Sequence, residues 1–284
     1  MQIVSKSLFR KAGLCALLLA SQLAFAVAIE PLEYTPQHQK TTTEVVSQLV
    51  QKHYREQALN DELSAQYLNN YLRNLDPAKS FFFQADVDAF ETHKARFDDY
   101  LAKGDLKVPF EIFNTYRQRL TTRLEAVIAE LESDDLSFDF DQDEVLITDW
   151  DKAEWPKDKK TADELWRKRI KSSLLSLTLA GTELEEGKEI LHRRFTNQLR
   201  RAKQQDQEDA FGIIINSLTT LYDPHTNYLS PRTLENFNIN MSLSLEGRGA
   251  VLQTEDEYTK VMRLVPAGPA DKQGQLKPAD RIVA

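Results

Sequence analysis

Cysteine is almost absent from this chain of 284 residues, since the only one is Cys15. One cysteine cannot close a disulfide within the chain, so no disulfide framework supports the fold. Stability must therefore come from an apolar core, which a chain of this length can build.

Long apolar runs are absent after the first 26 residues, so we expect no membrane span in the mature chain. Before that point, Lys6, Arg10 and Lys11 precede an apolar run at 12–20, and residues 24–26 form a small-x-small site. This order is typical of a cleaved secretory signal peptide, predicted as residues 1–26. The expected destination is the periplasm.

Basic residues are also fewer than acidic residues. The sequence has 36 basic and 44 acidic residues, and removal of the three basic residues of the signal leaves 33 against 44, a balance of −11. Such a chain lacks the electrostatic footprint of a nucleic-acid-binding protein. One basic run is an exception and is interpreted as a solvated face whose spacing spreads it around a helix: Arg193, Arg194, Arg200, Arg201 and Lys203.

Apolar residues at spacings of three and four predict a mainly helical fold. The predicted helices cover about 43–57, 62–75, 86–103, 109–131, 161–179, 185–203 and 206–221. Asp86 and Thr161 are the expected N-caps of the third and fifth, and Gly104 the stop of the third. The acidic stretch 134–160 is expected to be an irregular connection with a short strand at 145–147. Residues 81–83, three phenylalanines, are assigned to the core in preference to a binding surface.

A nine-residue motif, DPHTNYLSP at 223–231, predicts a turn followed by a helix that Ser230 caps and Pro231 opens. His225 and Asp223 within it invite a catalytic interpretation. We favour a structural turn, because a general base needs a nucleophile within hydrogen-bond reach. The scattered histidines support no metal site and no motif implies a cofactor.

From Met241 onward, apolar and polar residues alternate, break at Gly247-Arg248-Gly249 and resume. The motif, this loop and the segment around Trp155 and Trp166 together resemble the carboxyl-terminal processing peptidases, especially the tail-specific type. The resemblance implies a helical domain at 27–235 and a partial PDZ domain at 236–284. It also implies a serine–lysine peptidase whose catalytic residues are not in this chain, which would be an amino-terminal portion.

The resemblance further implies a carboxylate-binding loop with an adjoining peptide-binding strand edge. The candidate site residues are Leu245, Gly247, Arg248, Gly249, Ala250, Val251 and Leu252. Arg248 either strengthens carboxylate capture or faces water, and Leu245 belongs to the apolar pocket or to a hinge. Leu245, Val251 and Leu252 have the alternative of being plain core residues. Ala279 stands where the family usually has glycine, which could strain that turn.

The expected partners are proteins with apolar C-terminal tails, together with a periplasmic adaptor protein. A non-enzymatic helical adaptor with a PDZ-like module is the alternative function, and a helical scaffold at the cell wall is a weaker third.

Overall fold

The computed structural model describes residues 29–133, 136–242, 249–255 and 258–282. Within them the chain is mainly helical and ends in a small sheet of three strands. The helices are α1 (Pro36–Lys52), α2 (Asp61–Leu75), α3 (Gln84–Glu91), α4 (Phe97–Lys103), α5 (Lys107–Leu131), α6 (Lys159–Leu179), α7 (Leu184–Gln204), α8 (Gln207–Tyr222), α9 (Pro231–Ser242) and α10 (Pro269–Gln273). The strands are β1 (Ala250–Glu255), β2 (Tyr258–Leu264) and β3 (Arg281–Ile282). The predicted signal peptide lies outside the described residues.

The largest apolar core joins α1–α4, the first half of α5, and α8. Tyr67, Tyr71 and Phe211 are completely buried in it. Between α2 and α8, the Asn70 side chain donates to the Ser217 carbonyl oxygen at 2.8 Å. The apolar face of α2 is thus the face that packs.

A second core lies between the end of α5, α6 and α7. Trp166 of α6 connects it to the first, because its indole N–H donates to the Ser80 carbonyl oxygen at 2.9 Å. Phe82 is fully buried, which confirms the core assignment for this member of the three phenylalanines, whereas Phe81 and Phe83 are half-buried.

Some of the predicted helix starts are wrong. The first helix begins at Pro36 instead of residue 43, because Thr35 caps it by accepting from the His38 backbone N–H at 3.2 Å. The helix predicted at 161–179 is α6 and begins at Lys159, because the Asp158 carboxylate accepts from the Thr161 N–H at 2.7 Å. Thr161 therefore lies inside the first turn and does not cap it.

The predicted helix 86–103 is two helices. The break is fixed from outside, because the Ser64 hydroxyl donates to the Lys94 carbonyl oxygen at 2.7 Å and accepts from the Phe97 N–H at 2.8 Å. Asp86 is not the cap but stands in the first turn, where it accepts from the Phe83 N–H. Gly104 ends α4 with φ +69°, as predicted.

The strand predicted at 145–147 is absent from the described residues, and Val145 and Ile147 are exposed. The segment is held to α6 by charge instead. Glu144 pairs with Arg167 and, at 2.5 Å, with Lys171.

Candidate functional site, a strand edge that begins at a glycine

The predicted site residues fall at the start of the small sheet. Gly249 precedes β1, and Ala250, Val251 and Leu252 are its first three residues. Leu245, Gly247 and Arg248 lie outside the described residues. The proposed boundary at 235/236 falls within α9, and the division into two domains stays a prediction.

Gly249 has a backbone conformation and surroundings that require glycine. Its φ is +75°, and a Cβ built on it would lie 2.9 Å from Cδ of Pro269 and 3.1 Å from Cα of Gly268. Its carbonyl oxygen accepts from the Val265 N–H at 2.8 Å. The start of β1 is therefore packed closely against the start of α10, and a side chain here would force the two apart.

Strand β1 pairs with β2, and β2 pairs with β3, both antiparallel. Within the described residues, the other edge of β1 has no strand partner. A bulge between Val251 and Leu252 leaves Met262 without an opposite residue. This arrangement presents a short, bent strand edge at the site.

The side chains along β1 differ in exposure. Ala250 and Val251 are half-buried, whereas Leu252 is 47% exposed although its opposite residue, Val261, is fully buried. Met262 is 48% exposed. Leu252 is therefore not a plain core residue within the described structure.

The turn before β3 contains the expected strain. Ala279 has φ +73°, the left-handed region that favours glycine. Its N–H donates to the Val261 carbonyl oxygen at 2.7 Å, and the Val261 N–H donates to the Asp280 carbonyl oxygen at 2.8 Å. Pairing with β2 thus holds the alanine in this conformation.

The motif at 223–231 connects the helical body to α9 and the sheet. Asp223 accepts from the Tyr54 hydroxyl at 2.6 Å and from the His225 backbone N–H at 2.8 Å. These two hydrogen bonds lower the pKa of the Asp223 carboxyl group. The His225 side chain is exposed, so the structure supports a turn at this position. Ser230 caps α9 as predicted, accepting from the Thr233 N–H.

Sequence reasoning missed the residues that hold the motif against α8. The Asn216 side chain accepts from the Tyr228 N–H at 2.7 Å and donates to the Tyr228 carbonyl oxygen at 3.1 Å. The Tyr228 hydroxyl donates to Glu208 at 2.9 Å, and Glu208 also contacts His38 of α1 at 3.1 Å. Burial, together with this bond, raises the pKa of Tyr228. Only long-range contacts reveal these roles, because the residues stand 12 to 170 positions apart.

The part of the chain that the structure describes contains no group of histidine, cysteine or acidic side chains that could hold a metal ion. None of its helices is long and apolar enough to cross a membrane.

Comparison with known proteins identifies the helical part. Residues 45–232 match the family model of the tail specific protease N-terminal domain. Over 247 residues, 86% of this chain and 35% of the relative, the chain is 34% identical to the tail-specific protease of Haemophilus influenzae.

Two relatives from Bacillus subtilis match over shorter stretches. Carboxy-terminal processing protease CtpB is 29% identical over 36% of this chain and 20% of its own length. Carboxy-terminal processing protease CtpA is 30% identical over 28% of this chain and 17% of its own length. The chain thus spans about a third or less of the length of each of these relatives.

The match extends from α1 into the first turn of α9, the body of helices described above, and points to a protease-related role. The chain therefore belongs to the tail-specific protease family and contains its amino-terminal domain.

Proposed function

We propose that this chain is the substrate-engaging, amino-terminal part of a periplasmic serine endopeptidase that cleaves proteins recognised by apolar C-terminal tails. Residues 27–235 form the helical domain, and 236–284 are part of a PDZ domain that captures the tail. The catalytic serine and lysine expected from the resemblance have no counterpart among these residues, so this part binds and does not cut.

The observation that carries the proposal is the edge of β1 next to Gly249. An extended peptide can add to a strand edge through main-chain hydrogen bonds, and side-chain pockets then supply specificity. The preceding loop, Gly247 to Gly249, would direct successive backbone N–H groups at the terminal carboxylate. An internal peptide bond has no such charge, which accounts for selectivity toward chain ends.

The preference for apolar tails is supported by side chains on β1 and β2. Leu252 and Met262 are each about half-exposed at this small sheet. Burial of an exposed apolar side chain against a ligand is favourable by roughly 25 cal/mol per Å² of area removed from water. A tail with apolar residues at its end would gain this energy, and a polar tail would not.

Gly249→Val tests the proposal. The new side chain must displace Pro269 or the loop, so binding of a peptide with an apolar end and a free carboxylate should weaken at least about tenfold, measured by calorimetry. Gly274→Val is the matched control, because Gly274 has nearly the same φ, +70°, so that valine would be strained there too, but a Cβ would meet nothing within 4 Å. It should bind as the parent chain does.

Unchanged affinity in Gly249→Val would refute the site. An equal loss of peptide affinity in both variants would mean that backbone strain alone causes the effect. The enzymatic part of the proposal has its own test, which is whether the native protein isolated from its source hydrolyses a protein carrying such a tail. Tail binding without hydrolysis would favour the adaptor alternative.

A further inference from the structure

A short acidic segment lies on α6 with an extended backbone. Residues 143–149 contain neither a turn nor a bend, and the exposure of their side chains alternates from 143 to 147. Glu144 and Leu146 are half-buried, whereas Val145 and Ile147 are 77% and 50% exposed. This period of two places one set of side chains toward α6 and the other set away from it. We call residues 143–149 the strap.

Side-chain contacts hold the strap in place at both ends. Near its start, Glu144 pairs with Arg167 and with Lys171, whose side chain is only 8% exposed. Directly after its end, the ring of Trp150 lies 4.8 Å from the guanidinium group of Arg169. The strap is therefore displayed in a fixed position on α6.

One edge of the strap has no hydrogen-bond partner. In an extended backbone, successive residues direct their N–H and C=O groups to opposite edges. Nζ of Lys168 lies 3.5 Å from the carbonyl oxygen of Val145, which belongs to the edge of the odd-numbered residues. On the other edge, the N–H and C=O groups of Glu144, Leu146 and Thr148 have no protein partner within the described residues. Such an unpaired row is a template for pairing with another strand.

The outward side chains of the strap determine which strand fits. They are Asp143, Val145, Ile147 and Asp149, so two exposed apolar residues stand between two exposed carboxylates. Asp149 pairs with Lys152 at 2.7 Å, but Lys152 is 80% exposed. An exposed ion pair of this kind is weak, so a basic residue on an added strand can replace it.

We infer that the strap binds an extended segment of another protein by strand addition, and that this segment has a basic residue on each side of an apolar pair. Main-chain hydrogen bonds to the free edge supply affinity. Selectivity comes from cross-strand pairs, because opposite charges facing each other stabilise a pair of strands and apolar side chains cover Val145 and Ile147.

A second copy of this chain fits the edge less well. Antiparallel pairing of two straps about Leu146 would place Asp143 of each copy opposite Asp149 of the other. Parallel pairing in register would place each carboxylate beside its own counterpart. Like charges directly opposite each other are destabilising. The acidic ends of the strap therefore oppose its pairing with itself and favour a basic partner.

The test uses a labelled peptide of sequence Lys-Thr-Val-Thr-Val-Thr-Lys with an amidated carboxyl terminus. In antiparallel pairing its lysines stand opposite Asp149 and Asp143, its valines stand opposite Ile147 and Val145, and its threonine N–H groups point to the free edge of the strap. The amide lacks the carboxylate that the proposed β1 site requires, so this test and that of the tail-binding site are independent.

Thr148→Pro removes one N–H group from the free edge, because proline cannot donate to a strand ladder. That N–H has no protein partner within the described residues, so its removal breaks no hydrogen bond of the fold. Thr148→Ala is the matched control, since it removes the side chain and keeps the N–H group. Circular dichroism checks that both variants keep their helical content.

Fluorescence anisotropy should show saturable peptide binding by the parent chain and by Thr148→Ala, and at least about tenfold weaker binding by Thr148→Pro. N-methylation of the three threonines of the peptide should weaken binding to a similar extent. N-methylation of its two valines, whose N–H groups point away from the strap, should leave binding unchanged. Replacement of both lysines by glutamate should abolish binding.

Absence of binding by the parent chain would overturn the inference. So would equal binding of the peptide with methylated threonines, which would reduce the interaction to attraction between charges. A third contrary result is a parent chain that sediments as a dimer while Thr148→Pro sediments as a monomer, which would assign the free edge to a second copy.

Discussion

Asp76 is the buried charge on which the connection between the two helical cores depends. It is 1% exposed, and its carboxylate accepts from the backbone N–H groups of Ser80, Phe81 and Phe82 at 2.9, 2.7 and 3.1 Å. Burial raises the pKa of Asp76, and these hydrogen bonds oppose that shift. The loop they close also supplies the carbonyl oxygen that Trp166 uses to join the cores.

Asp76→Ala should destabilise the chain by about 3 kcal/mol. The change orphans three N–H donors, of which those of Ser80 and Phe82 are fully buried, at about 1–3 kcal/mol each. Removal of a desolvated carboxylate offsets part of this loss. Asp76→Asn keeps one oxygen but turns an N–H group toward the remaining donors, and we expect about 2 kcal/mol.

Urea unfolding followed by tryptophan fluorescence measures both variants, provided that circular dichroism gives the same transition. Asp151→Asn, on the exposed connection, is the control and should stay within about 0.5 kcal/mol of the parent. A loss below about 1 kcal/mol for Asp76→Ala would refute the assignment of these hydrogen bonds as the anchor of the loop.

Two further predictions concern the sheet and the charged connection. Ala279→Gly should slow hydrogen exchange of the Val261 amide about two- to fivefold, because relief of left-handed strain exceeds the entropic cost of glycine by about 0.5–1 kcal/mol. Ala270→Gly in α10 is the control and should have the opposite effect. Faster exchange in Ala279→Gly would contradict the prediction. Hydrogen bonds from Arg167 and then Lys171 lower the pKa of Glu144 to about 2. A carboxyl group whose pKa is lower in the folded chain stabilises the fold at pH values above its unfolded pKa, and this stabilisation is lost as pH falls. The difference in free energy of unfolding between the parent and Glu144→Gln should therefore be constant above about pH 5 and close toward pH 2. A gap independent of pH would contradict it.

The helices could be predicted from the sequence because their apolar spacing reflects packing directly. What could not be predicted was set by contacts from elsewhere in the chain. The break between α3 and α4 depends on the hydroxyl of Ser64, thirty residues or more away. At the start of α6, Asp158 forms the cap that the sequence pattern assigns to Thr161.

The candidate site was partly accessible to sequence reasoning. Gly249 and Ala279 can be recognised from the sequence, because a glycine marks a position that can adopt positive φ and an alanine in place of a glycine marks one that would be strained. Both have positive φ in the structure. The exposure of Leu252 opposite a buried Val261, next to the bulge that leaves Met262 unpaired, could not be foreseen from the alternation of apolar residues. The hydrogen bonds among Asn216, Glu208 and Tyr228 could not be predicted, because they correspond to no periodic pattern in the sequence.

The central claim is that the edge of β1 captures a free chain end. The most direct measurement is calorimetry of this chain with two peptides of the same apolar sequence, one with a free C-terminal carboxylate and one with a C-terminal amide. The account predicts that the amide binds at least about tenfold more weakly, because it cannot use the charge-assisted hydrogen bonds of the loop. Equal affinities for the two peptides would contradict it.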